Sequence, residues 1–329
     1  MSSDDPYSQC LPNYTVHPEA YQHVTLAVQH GVRKLPELGV EAAREQTDRL
    51  GPVFGGNVDF PGKETEMTVP SAHVSTGIPI TVYRPDSAGQ VPAIVVYFHG
   101  GGFVLGNRAS LETAVKTLSR DSGSIFVNVE YRLLPDPEAP TAPFQDALTV
   151  SRWVIDNKEL VGGHAESKVG VGGDSAGGHI SACVTNDVQD LDFQVLVYPM
   201  TDLSRSQESF KEFTTTPGLT LESIDWFFNN SIALIPNAAQ NPSLNPMVRS
   251  NMATSPPAII VLAELDPLRD CGLEYGEKLK KAGVPVECHV IKGVPHAFFG
   301  MCGIYKTKTA EAYAPIIEFL KKFNIDSPI

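Results

Sequence analysis

Val169-Gly170-Val171-Gly172-Gly173-Asp174-Ser175-Ala176-Gly177-Gly178 sets the fold. The valine-rich start reads as a buried strand, and a helical pattern follows over residues 177–186. A serine with glycines two positions to either side, held between a strand and a helix, fits a sharp turn that projects a nucleophilic hydroxyl. Bulky neighbours would block such a turn, and Gly173 and Gly177 carry no side chain. A helix starting just after Ser175 would turn free N–H groups and a positive dipole end toward developing negative charge. Ser175 is therefore the candidate nucleophile, and the N–H of Ala176 a candidate donor to an oxyanion.

On both sides of this turn, short β-branched runs alternate with helical stretches. Strands are predicted over 80–83, 93–98, 125–130, 169–172, 193–198, 258–263 and 286–291, and helices over 111–119, 142–157, 177–186, 272–281 and 309–323. Such alternation makes a mainly parallel sheet flanked by helices, an α/β fold. Two helices at 18–32 and 36–50 precede it, each opening on a proline, as first turns tolerate. Between Thr201 and Asn245 no strand pattern appears, and Leu221, Ile224, Trp226, Phe227, Phe228 and Ile232 fall at helical spacing. Open sheets of this class bind ligands at strand C-termini, where an insertion can lie as a lid. The organisation expected is a helical cap segment over 1–50, a first core part over 51–200, a lid insertion over 201–247 and a second core part over 248–329.

The strand at 93–98 runs into His99-Gly100-Gly101-Gly102-Phe103. Backbone N–H groups aimed at a developing oxyanion lower its energy by several kcal/mol, and consecutive glycines let backbone approach the substrate. Gly101 and Gly102 join Ala176 as candidate donors, while His99 is read as a structural residue of the loop. A nucleophilic serine also needs a base and an orienting acid, in the chain order Ser, acid, His. Asp266 follows the strand at 258–263 and His296 the strand at 286–291, so both should reach the edge that carries Ser175. Asp202 is the competing acid. Asp270 is better read as capping the helix that follows.

Composition narrows the function classes. The chain has 329 residues, 42% hydrophobic and 19% charged, the balance of a folded globular protein. A formal net charge of −13 argues against nucleic acid or an anionic membrane and favours a neutral small molecule. Five scattered cysteines show no C-x-x-C pair, so neither a disulfide framework nor a metal site is expected. Apolar runs are too short to span a bilayer, and the acidic start Met1-Ser-Ser-Asp-Asp lacks a leader pattern, which makes the cytoplasm the expected compartment.

Together His99-Gly-Gly-Gly, Gly173-Asp-Ser-Ala-Gly177, Asp266-Pro-Leu-Arg-Asp and His296-Ala-Phe resemble the hormone-sensitive lipase-like esterase family, in its G-D-S-A-G branch. Tyr131-Arg-Leu-Leu-Pro135, continuing through Pro143 to Asp146, resembles another of its signatures. The resemblance implies an α/β-hydrolase core with a helical cap and a Ser175–Asp266–His296 triad. It also implies no cofactor and hydrolysis of small-molecule esters with short to medium acyl chains; it leaves a homodimer open. Phe103, Trp226, Phe227 and Phe228 are the candidate substrate-binding residues. Cys271 stands where an acid is common in the family, and Ala297 where glycine is common. The alternatives are an amidase or deacetylase on the same triad and a ligand-binding protein like the plant gibberellin receptors, which resemble the family but lack the catalytic histidine.

Overall fold

The computed structural model describes residues 5–10 and 12–325; the leader reading at residues 1–4 lies outside them. Eight strands form one sheet: β1 (Gly62–Val69), β2 (Ile78–Pro85), β3 (Ile94–Phe98), β4 (Ile125–Val129), β5 (Val169–Asp174), β6 (Phe193–Val197), β7 (Ala258–Leu265) and β8 (Val286–Pro295). Their order is β1-β2-β4-β3-β5-β6-β7-β8. β1 pairs with β2, and β2 with β4, antiparallel; β4, β3 and β5 through β8 are parallel neighbours. The α/β class is as expected. β1 was not anticipated, because Gly62-Lys-Glu-Thr-Glu-Met-Thr-Val69 sits on an edge with most side chains wet and little apolar alternation.

Period-two alternation divides the core. Val95 and Tyr97 of β3 face one layer, with Phe193, Val195 and Val261. Ile94, Val96 and Phe98 face the other, with Val127, Val169 and Val171. Helices α3 (Glu112–Ser122) and α9 (Lys306–Lys321) cover the first face through Val115, Leu118, Ile316 and Leu320. α4 (Ala142–Asp156) and α5 (Ala176–Asp187) cover the second through Val150, Val154, Ile180 and Val184, while α8 (Arg269–Lys281) packs Tyr275 and Leu279 on Ile260 and Leu262. The glycines of β5 have a packing reason: a Cβ on Gly170 would run into the Phe193 ring.

The N-terminal helices are α1 (Pro18–Gln29) and α2 (Val40–Gly55). The expected second helix at 36–50 starts later and ends later. Leu35–Glu37 is only a single 3-10 turn, Gly39 precedes α2, and the helix tolerates Pro52 before ending at Gly56 with φ 67°. The helical segment thus passes the expected boundary at residue 50. The insertion carries α6 (Glu208–Glu212) and α7 (Leu221–Asn229), the latter capped by the Thr220 hydroxyl accepting from Ser223 N–H. It is strand-free, as expected. It meets the N-terminal segment through Trp226 Nε1 donating to Leu38 O at 3.1 Å and Gln9 Nε2 donating to Thr214 Oγ1 at 2.9 Å. Its two ends are fastened to α5 by one buried imidazole, His179, whose Nδ1 contacts Met200 O and whose Nε2 lies 2.7 Å from Leu244 O.

Candidate active site

Strand register places the site. Leu265 of β7 and Pro295 of β8 are cross-strand partners, so the residue following each, Asp266 and His296, leaves the sheet side by side. Phe98 of β3 pairs with Gly173 of β5 in the same way, which sets the glycine loop beside the serine turn. Four strand C-termini therefore converge on one spot.

Ser175 occupies the β5–α5 turn with φ 53° and ψ −115°, a positive φ that side-chain-bearing residues seldom hold. Its N–H is tied to Val197 O at 2.8 Å. The turn closes because Gly173 and Gly177 meet backbone directly: a Cβ on Gly177 would overlap Phe98 O, and one on Gly173 would overlap Gly177 itself.

His296 Nε2 lies 2.9 Å from Ser175 Oγ, and its Nδ1 2.7 Å from Asp266 Oδ2. Asp266 is fully buried, and its other oxygen accepts Leu268 N–H at 2.8 Å. That arrangement fixes the carboxylate, leaves Nδ1 protonated against it and turns an acceptor nitrogen to the serine. The Tyr198 ring lies across the imidazole at a centroid distance of 4.3 Å.

The competing acids are engaged elsewhere. Asp202 accepts from Ser204 N–H, Ser204 Oγ and Gln207 Nε2 at 2.7–2.9 Å. Asp270 does not cap its own helix as expected. It accepts Ser209 N–H at 2.9 Å in the first turn of α6 and pairs with Arg269 at 2.8 Å, joining the insertion to the core. Ala297 has φ 69°, which explains why glycine suits this position. Cys271 is buried, and its carbonyl accepts from Thr201 Oγ1 at 2.7 Å.

Gly101, Gly102, Ala176, Ser175 and His296 border one cavity of about 170 Å³, which Phe103, Phe227 and Phe228 also line. A Cβ on Gly102 would overlap the Phe227 ring, so the insertion rests directly on the glycine loop. Trp226 does not line this cavity and is corrected: it is spent on packing near Leu38 and Val104, with its indole N–H on Leu38 O. His99 is structural, as expected. It is fully buried, stacks on Tyr131 at 4.3 Å and places Nδ1 2.7 Å from Gly100 O, while Tyr131 OH donates to His99 O. Burial holds its imidazole below the ordinary range. Arg132 and Asp146 form a two-pronged pair at 2.8–3.2 Å that pins the Tyr131 loop.

Two residues of the site were not singled out from sequence. Tyr198 carried no signal beyond its place at the end of β6. Asp174 was visible inside the motif without a role. Its Oδ1 accepts Gly100 N–H at 2.9 Å and Tyr97 OH at 3.3 Å, coupling the glycine loop to the serine turn. Burial, offset in part by the Gly100 N–H and the neighbouring His296, pushes its carboxyl up to about 6.

A family model described as alpha/beta hydrolase fold matches residues 95–300. The chain belongs to the α/β-hydrolase fold family. Ethyl acetate hydrolase of Pseudomonas putida is 32% identical over 313 residues, covering 92% of this chain and 97% of that protein. Esterase LipI of Mycobacterium tuberculosis is 35% identical over 82% of this chain and 85% of its own length. Among solved structures, an esterase from Pyrobaculum calidifontis superposes with a TM-score of 0.83 at 30% identity, covering 94% of this chain and 99% of that one. These α/β-hydrolase relatives bear out the hormone-sensitive lipase-like resemblance. Among the described residues no helix is long and apolar enough to cross a membrane.

Proposed function

We propose that this carboxylic ester hydrolase works through a Ser175–His296–Asp266 triad and an oxyanion hole built from the N–H groups of Gly101, Gly102 and Ala176. His296 Nε2 takes the Ser175 proton as Oγ attacks the ester carbonyl. The carbonyl π electrons move onto oxygen, which the three N–H groups receive. As the intermediate collapses, the imidazolium returns the proton to the departing alkoxide, leaving alcohol and a Ser175 acyl ester. A water then loses its proton to the same nitrogen, attacks the acyl carbon and frees the acid, and Ser175 recovers its proton. Asp266 holds one tautomer throughout and offsets the imidazolium charge.

The observation that carries this reading is the unbroken chain Asp266 Oδ2–His296 Nδ1, His296 Nε2–Ser175 Oγ at 2.7 and 2.9 Å, on a turn no bulky neighbour could form. It also disfavours the receptor-like alternative, since such proteins lack the histidine. The small cavity beside Ser175 supports short- to medium-chain acyl groups, with Phe103, Phe227 and Phe228 as its apolar wall. The N-terminal helices and the 201–247 insertion together serve as the cap, a reading supported by their shared hydrogen bonds. Hydrolysis of p-nitrophenyl acetate by the wild-type chain and by Ser175→Ala tests the proposal: the variant should lose at least about 10³-fold in kcat, keeping only the residual rate of the oxyanion loop.

A further inference from the structure

A second cavity, about 490 Å³, lies beneath α1 and α2 and meets the smaller one at Gly101, Asp174, Tyr198, Gly218, Leu219 and Ala297. The inner end of this chamber is thus beside Ser175, while its outer end is at the surface between α1 and α2. We propose that it binds the distal part of an ester whose far end carries a carboxylate, recognised by Arg33 and Lys34. This rests on the esterase reading above and names a substrate class for the same site.

The chamber wall is largely hydrocarbon, with Val24, Ala27, Leu50, Phe54, Leu111 and Met301 along it. A methylene chain or ring is what such a wall stabilises, at about 25 cal/mol per Å² of apolar surface removed from water. Charge is confined to the two ends. Among the described residues Asp174 is the only carboxylate in the wall, and it stands at the inner end, so an acidic tail is repelled from there and directed outward. His23, midway along α1, is buried with Nδ1 on Tyr305 OH at 3.0 Å, and burial lowers it to about 4, so it is neutral at physiological pH.

Arg33 and Lys34 border the outer end and are exposed. Among the described residues neither stands within ion-pair distance of a carboxylate: the Arg33 guanidinium donates only to Glu37 O, at 3.2 Å. Of the acids on α2, Glu41 pairs with Arg44 at 3.1 Å and Asp48 accepts from Asn107 Nδ2 at 2.8 Å. The exposed carboxylates of Glu45 and, just before the helix, Glu37 have no ion-pair partner among the described residues, Arg33 and Lys34 included. The loop that presents the cations is fixed, because Gln46 accepts Arg33 N–H at 2.8 Å and donates to Arg33 O at 3.0 Å. Two unspent cations held at the mouth of an apolar chamber suit an anion. The net charge of −13 does not override them at contact range, since interactions beyond about 8 Å are largely screened at physiological salt.

The test compares kcat/KM on matched esters. Monoethyl suberate against ethyl octanoate carries the carboxylate on the acyl side; 6-acetoxyhexanoate against hexyl acetate carries it on the alcohol side. In at least one pair, the ratio of anionic to neutral ester should fall about fivefold in Arg33→Ser/Lys34→Ser, through KM, and further in Arg33→Glu/Lys34→Glu; raising salt should shrink the wild-type ratio. The pair that responds identifies which half of the substrate occupies the chamber. Ratios unchanged by both variants in both pairs, or no hydrolysis of either anionic ester, would overturn the proposal. Ethyl acetate, too short to reach the mouth, reads the triad separately: no hydrolysis of it by the wild-type chain would mean that the underlying esterase reading has failed.

Discussion

His296 Nε2 stands 2.9 Å from Ser175 Oγ although 121 positions of sequence separate the two residues. Nothing local holds them together. The contact follows from β5 and β8 ending on the same edge of the sheet, with β6 and β7 between them. Each prediction below perturbs one part of that arrangement.

Asp266→Asn should lower kcat on p-nitrophenyl acetate by orders of magnitude with KM little changed, because an amide cannot hold the same imidazole tautomer or offset its charge. Asp202→Asn should cost far less, since Asp202 serves Ser204 and Gln207. Steady-state kinetics on the two variants decides the matter. The reverse ranking would make Asp202 the orienting acid.

Gly177→Ala should destabilise the fold by about 1–3 kcal/mol, the range for forcing extra carbon into a packed site. The new methyl group would overlap Phe98 O, and backbone cannot move aside as a flexible side chain can. Urea unfolding measures it. Wild-type stability in this variant would mean that the turn is looser than described.

Asp174 makes stability depend on pH. Its folded carboxyl titrates near about 6, above the ordinary 3.8, chiefly through burial. Between those values the folded chain keeps a proton that the unfolded chain has released, so raising the pH across this window works against folding. Asp174→Asn removes that term while keeping an acceptor for Gly100 N–H. Melting temperatures at pH 4 and pH 7 should therefore fall by a few degrees less, or rise more, in the variant than in the wild type. Parallel pH profiles would contradict the buried, ionising carboxyl.

Phe227→Ala should shift the acyl preference toward longer chains. The ring lines the small cavity and lies against Gly102, so its removal should open space beside the acyl carbon. Profiling p-nitrophenyl esters from acetate to decanoate should show the optimum move by two or more carbons. An unmoved optimum would place the acyl group elsewhere.

Much of this arrangement was legible in sequence because its signals are backbone demands. Gly173, Gly177 and the run Gly100–Gly102 are glycines where close approach forbids anything larger, and the positions of Asp266 and His296 follow from two apolar strands ending just before them. The unread parts depend on packing between distant segments. β1 is an edge strand without apolar alternation. Trp226 and Phe227 are neighbours on α7, yet only the angle at which that helix meets α2 and the glycine loop decides which ring faces the cavity. Asp270 looked like a cap for its own helix and instead binds the first turn of α6, a contact across 61 positions. Tyr198 backs His296 for the same reason: its role appears only once β6 and β8 are placed.

The central claim is that Ser175 becomes covalently acylated, and a fluorophosphonate tests it most directly by forming a stable Ser175 phosphonyl ester. Intact-mass spectrometry of the wild-type chain should show one adduct, mapped by peptide sequencing to Ser175, with activity lost in step; Ser175→Ala should take up none. An adduct on another residue, or full labelling with ester hydrolysis undiminished, would contradict the account.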